Sequence, residues 1–210
     1  MSRVLLLATN NDKKRKELDA MADGAFVVRT LRDMKLDDVD IIEDKDTFAG
    51  NAQVKVDTIH AALVERRQVD EVWAILADDS GLIVDALDGG PGVRSARFAL
   101  DHDAGEGDDA NNALLLKMLN GKPHEERTAR YACAICVRRV GDDDVIEAFD
   151  TVEGWIAPNA KGDGGFGYDP YFIPQAHPER HMAELSPDEK HAISHRGKAT
   201  RAALALLSAR

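Results

Sequence analysis

Four short segments of this chain gather residue types that can handle phosphate, a metal ion and a planar ring. The first is Leu7-Ala8-Thr9-Asn10-Asn11-Asp12-Lys13-Lys14. An apolar run that ends in small polar residues and lysines, then turns helical, sets backbone N–H groups and ammoniums at a helix N-terminus. That is an anion site by geometry and dipole. A plain loop with solvated lysines would read the same way. The second segment is Ala77-Asp78-Asp79-Ser80-Gly81. Adjacent acids on extended chain point to opposite sides, so one can face a cleft while the other holds the loop. At the carboxyl end of a strand in an α/β sheet, such a carboxylate suits Mg²⁺ ligation or deprotonation of water. The bland alternative is a turn built from good turn formers.

The third segment contains Gly162, Gly164 and Gly167, which fit G-x-G-x-x-G. A dinucleotide motif should open a helix, yet Pro170 follows at once and Tyr171-Phe172-Ile173 has strand character. A tight glycine loop presenting Phe166 and Tyr168 is the better account. The chain is only 5% aromatic, so aromatics held on glycines suggest a platform on which a planar base stacks. A Walker A sequence is missing, which removes P-loop chemistry. The fourth segment runs from Glu189 through Lys190, His191, His195 and Arg196 to Lys198. Its cations are donors for carbonyl or phosphate oxygens, with a basic surface turn as the alternative. Zinc is disfavoured, because H-E-x-x-H is missing and no third ligand is evident.

Local patterning predicts the elements that position these groups. Strands are expected at residues 3–8, 26–31, 72–77 and 82–87, and helices at 13–22 and from a Thr47 cap to about 66. Phe48, Ala52, Ile59 and Leu63 form the expected inner face of the longer helix. A helix over 109–119 and a hairpin of 128–140 with 145–156, turning at 141–144, follow. Ser186-Pro187-Asp188-Glu189 reads as a capping box, and a last helix runs from about 197 to 209. Alternating β and α in the first part favours a layered α/β fold.

Composition narrows the function classes. The chain of 210 residues is 44% hydrophobic and 31% charged, with net charge −11. Its apolar runs are too short to span a bilayer and its start has no signal-peptide layout, so neither a membrane nor a secreted protein is expected. Net negative charge repels nucleic acid. The acidic stretches at 101–109 and 142–144 read as solvated loops without chemistry. Cys133 and Cys136 are the two cysteines; on a strand they face opposite sides and share neither a disulfide nor a metal. A cytoplasmic protein is expected.

Taken in order, these segments resemble the inosine triphosphate pyrophosphatase family. The match comprises T-x-N-x-x-K at Thr9, Asn11 and Lys14, and T-F-x-x-N-A-x-x-K at Thr47, Phe48, Asn51, Ala52 and Lys55. It continues through A-D-D-S-G-L from Ala77 to Leu82 and P-G-x-x-S-A-R at Pro91, Gly92, Ser95, Ala96 and Arg97. G-G-F-G-Y-D-P from Gly164 to Pro170 and E-K-x-x-I-S-H-R-G from Glu189 to Gly197 complete it. Val56, where alanine is more usual, is a departure.

The resemblance implies an elongated α/β fold, a single domain over residues 1–210 with a mixed sheet, flanking helices and two lobes around a central substrate cleft. It implies a homodimer and Mg²⁺-dependent hydrolysis of ITP, dITP and XTP to monophosphate and pyrophosphate, cleansing the nucleotide pool. It assigns Thr9, Asn11, Lys14 and Lys55 to the triphosphate, Glu43 and Asp79 to the metal, and Asp79 also to the base. Ser80 helps hold substrate, while Phe166, Gly167, Tyr168, Asp169, Lys190, His195 and Arg196 surround the purine. Lys190 and Arg196 are donors only, so they suit the 6-oxygen of hypoxanthine or xanthine and oppose the adenine amino group. A Maf-like pyrophosphatase with other base preference and a nucleotide sensor without turnover are the alternatives.

Overall fold

The computed structural model describes residues 3–142 and 144–209, apart from the Lys13 side chain. In chain order the elements are β1 (Val4–Leu7), α1 (Asp12–Ala22), β2 (Val27–Thr30), α2 (Phe48–Glu65), β3 (Ala74–Val84) and α3 (Gly107–Met118). Then come β4 (Thr128–Arg139), β5 (Val145–Ile156), β6 (Phe172–Pro174), α4 (Pro187–Ile193) and α5 (His195–Ser208). The strands pair in the order β2-β1-β3-β4-β5-β6. β1 lies parallel to β2 and β3, with Leu5, Leu6 and Leu7 opposite Ala74, Ile75 and Leu76. β5 and β6 are antiparallel, which makes the sheet mixed. Asp143 of the expected hairpin turn lies outside the described residues.

The chain divides into two compact units. The first comprises Met1–Asp79, Cys133–Phe149 and Arg196–Arg210, the second Ser80–Ala132 and Asp150–His195. In the first unit, strand residues alternate between two cores. Leu5, Leu7, Leu76, Cys133 and Ile135 pack with Leu18 and Ala22 of α1 and with Ala199, Ala203 and Leu207 of α5. Leu6, Ile75, Ala77 and Cys136 pack instead with Ala52, Val56, Ile59 and Leu63 of α2. Strands buried on both faces read as continuous apolar runs, and each fully buried leucine or isoleucine contributes about 1.5–3 kcal/mol. Cys133 and Cys136 are free and buried in different cores, as their three-residue spacing requires. Thr47 caps α2, its side chain accepting from Gly50 N.

The second unit packs Leu82, Val84, Phe98, Leu115, Leu119, Tyr131, Ile156, Phe172 and Met182 into one core. The capping box of α4 forms, with Ser186 and Glu189 each bonding the other's backbone N–H. One expectation is corrected. The strands expected separately at 72–77 and 82–87 are a single strand of 11 residues from Ala74 to Val84, and the turn that stood as the alternative at Asp78–Gly81 does not form. Turn-forming residue types are overridden here because each aspartate side chain finds buried partners, described below, that an exposed turn would not supply.

Candidate active site

The middle of β3 carries two adjacent carboxylates, and the helices on the two faces of the sheet supply partners to each. Asp78 belongs to the α1 and α5 side. Lys14 Nζ of α1 lies 2.8 Å from its carboxylate, and Arg196 Nε of α5 donates to its Oδ2 at 3.1 Å. Arg196 Nη1 also approaches Glu17 Oε2 at 3.5 Å. Burial opposes ionisation of Asp78, yet Lys14, Arg196 and Lys55 outweigh it and hold the carboxyl well below the usual carboxylate range.

Asp79 belongs to the α2 side. Asn51 Nδ2 donates to its Oδ2 at 3.1 Å and Lys55 Nζ to its Oδ1 at 3.2 Å. Asn51 and Lys55 are four apart on α2, so one helix face delivers both. Lys55 Nζ also donates to Asp78 O at 3.0 Å and meets Glu43 Oε2 at 2.8 Å. All three ammonium hydrogens therefore have acceptors. Burial raises the Asp79 carboxyl above its ordinary value, Lys55 and Asn51 act against this, and Glu43 adds to it. Burial lowers Lys55, but Asp79 and Glu43 prevail and its pKa is raised, so it stays an ammonium. Asn51, which sequence reasoning left as a motif position, joins this cluster through Asp79; its helical spacing from Lys55 was the available signal.

The β1–α1 loop is held by its own side chains. Thr9 Oγ1 accepts from Asn11 N, and Asn11 Oδ1 accepts from Lys14 N, both at 3.3 Å. Lys14, which follows this loop in α1, reaches Asp78 inside the first unit.

In the second unit the glycine loop presents Phe166, which is 41% exposed, but not Tyr168, which is 4% exposed. Tyr168 packs in the core and its hydroxyl donates to Ser95 O at 2.8 Å. The expectation that the loop presents both rings is corrected on this point, because a hydroxyl with a buried acceptor can be buried with the ring. Asp169 organises the loop. Its Oδ2 accepts from Phe166 N at 2.9 Å and from Lys190 Nζ at 2.5 Å. A Cβ at Gly165 would collide with that carboxylate. Lys190 Nζ also stands 4.9 Å from the Phe166 ring centre, within cation–π range. His195 stacks on Tyr131 with centres 4.9 Å apart and planes 6° from parallel. Ser80, half-buried, is the first residue of this unit on β3.

The donor set suits a hard divalent cation. Glu43 and Asp79 turn carboxylate oxygens to one ammonium, so their charges already converge on a positive centre. Among the described residues no group of three or more His, Cys, Asp or Glu could hold a metal. Two carboxylates, with the remaining ligands from water or substrate phosphates, is the pattern that Mg²⁺ accepts.

Known proteins resemble this chain over nearly its whole length. The chain is 45% identical over 199 residues to the dITP/XTP pyrophosphatase of an Exiguobacterium species, covering 94% of this chain and 93% of that protein. It is 44% identical to the dITP/XTP pyrophosphatase of Geobacillus kaustophilus, covering 93% and 89%. The structure of the Staphylococcus aureus Ham1 protein superposes with a TM-score of 0.83 at 33% identity, covering 99% of each chain. The nucleoside-triphosphatase / dITP/XTP pyrophosphatase of Mycobacterium abscessus gives 0.71 at 35% identity, covering 97% and 98%. The profile of the Ham1 family matches residues 5–206. With the motifs, the strand acids and these relatives in agreement, the chain belongs to the Ham1 family.

Proposed function

We propose that this protein hydrolyses deaminated purine nucleoside triphosphates, ITP, dITP and XTP, to the monophosphate and pyrophosphate, with Mg²⁺ as cofactor. One observation carries the reading: Glu43 and Asp79 are gathered on the buried ammonium of Lys55, beside relatives named for that activity. Water attacks the α-phosphorus, the bond to the bridging oxygen breaks, and pyrophosphate leaves. Asp79, its carboxyl raised by burial, takes the proton from that water. Lys14 offers positive charge to the triphosphate, and Lys55 keeps Glu43 and Asp79 in register. Glu43 and Asp79 would hold Mg²⁺, which when bound neutralises phosphate charge and polarises the reacting phosphoryl group. In the second unit, Phe166 stacks on the purine while Lys190 donates to its 6-oxygen.

The protein works as a homodimer, as the family resemblance implies, and in the cytoplasm, as its cysteine usage suggests. Among the described residues no helix is long and apolar enough to cross a membrane.

The test is a panel of ITP, XTP, ATP and dTTP with Mg²⁺, phosphate being measured with and without added inorganic pyrophosphatase. ITP and XTP are expected to give phosphate only when that second enzyme is present. Orthophosphate without it would overturn the bond assignment. Preference for dTTP would favour the Maf-like alternative, and binding without turnover would favour the sensor.

A further inference from the structure

The acidic stretch at 101–109 contains a residue with a specific partner. Asp108, in the first turn of α3, accepts from Gly167 N through Oδ2 at 2.7 Å. One helical turn on, Asn112 Nδ2 donates to Gly167 O at 2.9 Å. Asn112 is buried, and its Oδ1 has no hydrogen-bond partner among the described residues; the described bond of this amide goes to the loop. The i, i+4 spacing puts both side chains on one helix face, where they grip Gly167 by its N–H and its C=O. Gly167 itself has φ +62, a left-handed conformation that an L-residue rarely adopts.

The consequence falls on Phe166. The peptide preceding it is held through Phe166 N–H on Asp169, and the peptide following it through Gly167 N–H on Asp108. With both flanking peptides held, φ and ψ of Phe166 are restrained and its Cα–Cβ bond keeps one direction, while Lys190 Nζ stands 4.9 Å from the ring centre. A stacking surface set beforehand spends less binding free energy on ordering. We propose that Asp108 and Asn112 are positioning residues for purine binding, acting through Phe166. This inference rests on the proposed function, in which Phe166 stacks on the base.

Steady-state kinetics of the full chain with ITP and XTP test it, using Asp108→Ala, Asp108→Asn, Phe166→Ala and the Asp108→Ala/Phe166→Ala double variant. Asp108→Ala should raise KM for both substrates roughly tenfold, the scale of one charge-assisted hydrogen bond, with kcat within about twofold. Asp108→Asn removes the same charge from the N-terminus of α3 but keeps an acceptor oxygen, so it should recover most of the loss. In the Phe166→Ala background, Asp108→Ala should add less than about twofold, because its effect has lost its carrier. Should Asp108→Ala not fold, Asn112→Leu carries the same expectations. An unchanged KM, or factors that multiply in the double variant, would overturn the inference while leaving the activity intact. Wild-type protein inert toward both substrates would overturn the functional reading, and this inference with it.

Discussion

Asp78 and Asp79 are neighbours on β3, yet each is held by different helices on a different face of the sheet. Asp78 bonds Lys14 of α1 and Arg196 of α5, while Asp79 bonds Asn51 and Lys55 of α2. Their ionisation is driven apart, with Asp78 lowered and Asp79 raised. Carboxylates whose environments separate them in this way take different roles. Here Asp78 is the carboxylate paired with Lys14 and Arg196, and Asp79 the one to which the proposed function gives the base role.

Asp78→Asn should therefore destabilise. It leaves two largely buried cations short of their carboxylate, a loss of about 3 kcal/mol. For a chain of this size that corresponds to about 6–12 °C in Tm by calorimetry. The sign with pH follows from the direction of the shift. The folded value lies below the ordinary 3.8, so the stabilisation is fully present above that pH and is lost as pH falls through it toward the folded value. The gap in stability between wild type and Asp78→Asn should be constant near neutrality and narrow in acid; a gap that widened in acid would contradict the assignment.

Asp79→Asn should fold and fail to turn over. The amide keeps the shape and can still accept from Lys55, but it lacks the basicity to take a proton from water. Loss of at least ~10²-fold in kcat is expected, with Tm lowered less than in Asp78→Asn. Near-normal turnover in a folded Asp79→Asn protein would assign the base elsewhere.

Base selectivity should separate Lys190 from Arg196. Lys190 lies beside Phe166 and Asp169 in the second unit, whereas Arg196 is engaged with Asp78 and Glu17 in the first. Lys190→Met should lower kcat/KM for ITP roughly tenfold or more while changing ATP little, because the donor that opposes the adenine amino group is gone. Arg196→Ala should lower ITP and ATP by a common factor and reduce Tm. If Arg196→Ala narrowed the ITP/ATP ratio instead, Arg196 would be the base-reading donor that donor counting in the sequence suggests.

The two rings of the glycine loop should also behave differently. Phe166→Ala should cost about 1–3 kcal/mol of substrate binding, on the scale of base–aromatic stacking. It should raise KM for ITP and XTP alike with little change in Tm. Tyr168→Phe removes the bond to Ser95 O and should lower stability by about 1 kcal/mol, leaving KM near wild type. Matched KM effects in the two variants would mean that both rings serve the substrate.

The sequence by itself determined the local elements and the residue types at the site. The Thr47 cap, the Ser186–Glu189 capping box, the apolar faces of the helices and the buried three-residue spacing of Cys133 and Cys136 all act over a few residues. Short-range periodicity reports them directly. Only the tertiary structure decided that Asp78 and Asp79 lie within one strand, which carboxylate serves which helix, that Tyr168 is buried, and that Asp108 holds Gly167. These outcomes depend on contacts across 118 residues for Arg196 with Asp78, 24 for Lys55 with Asp79 and 59 for Gly167 with Asp108. At such separations, the helix that covers a given face of the sheet sets the ionic partner, and local propensity carries no record of that packing.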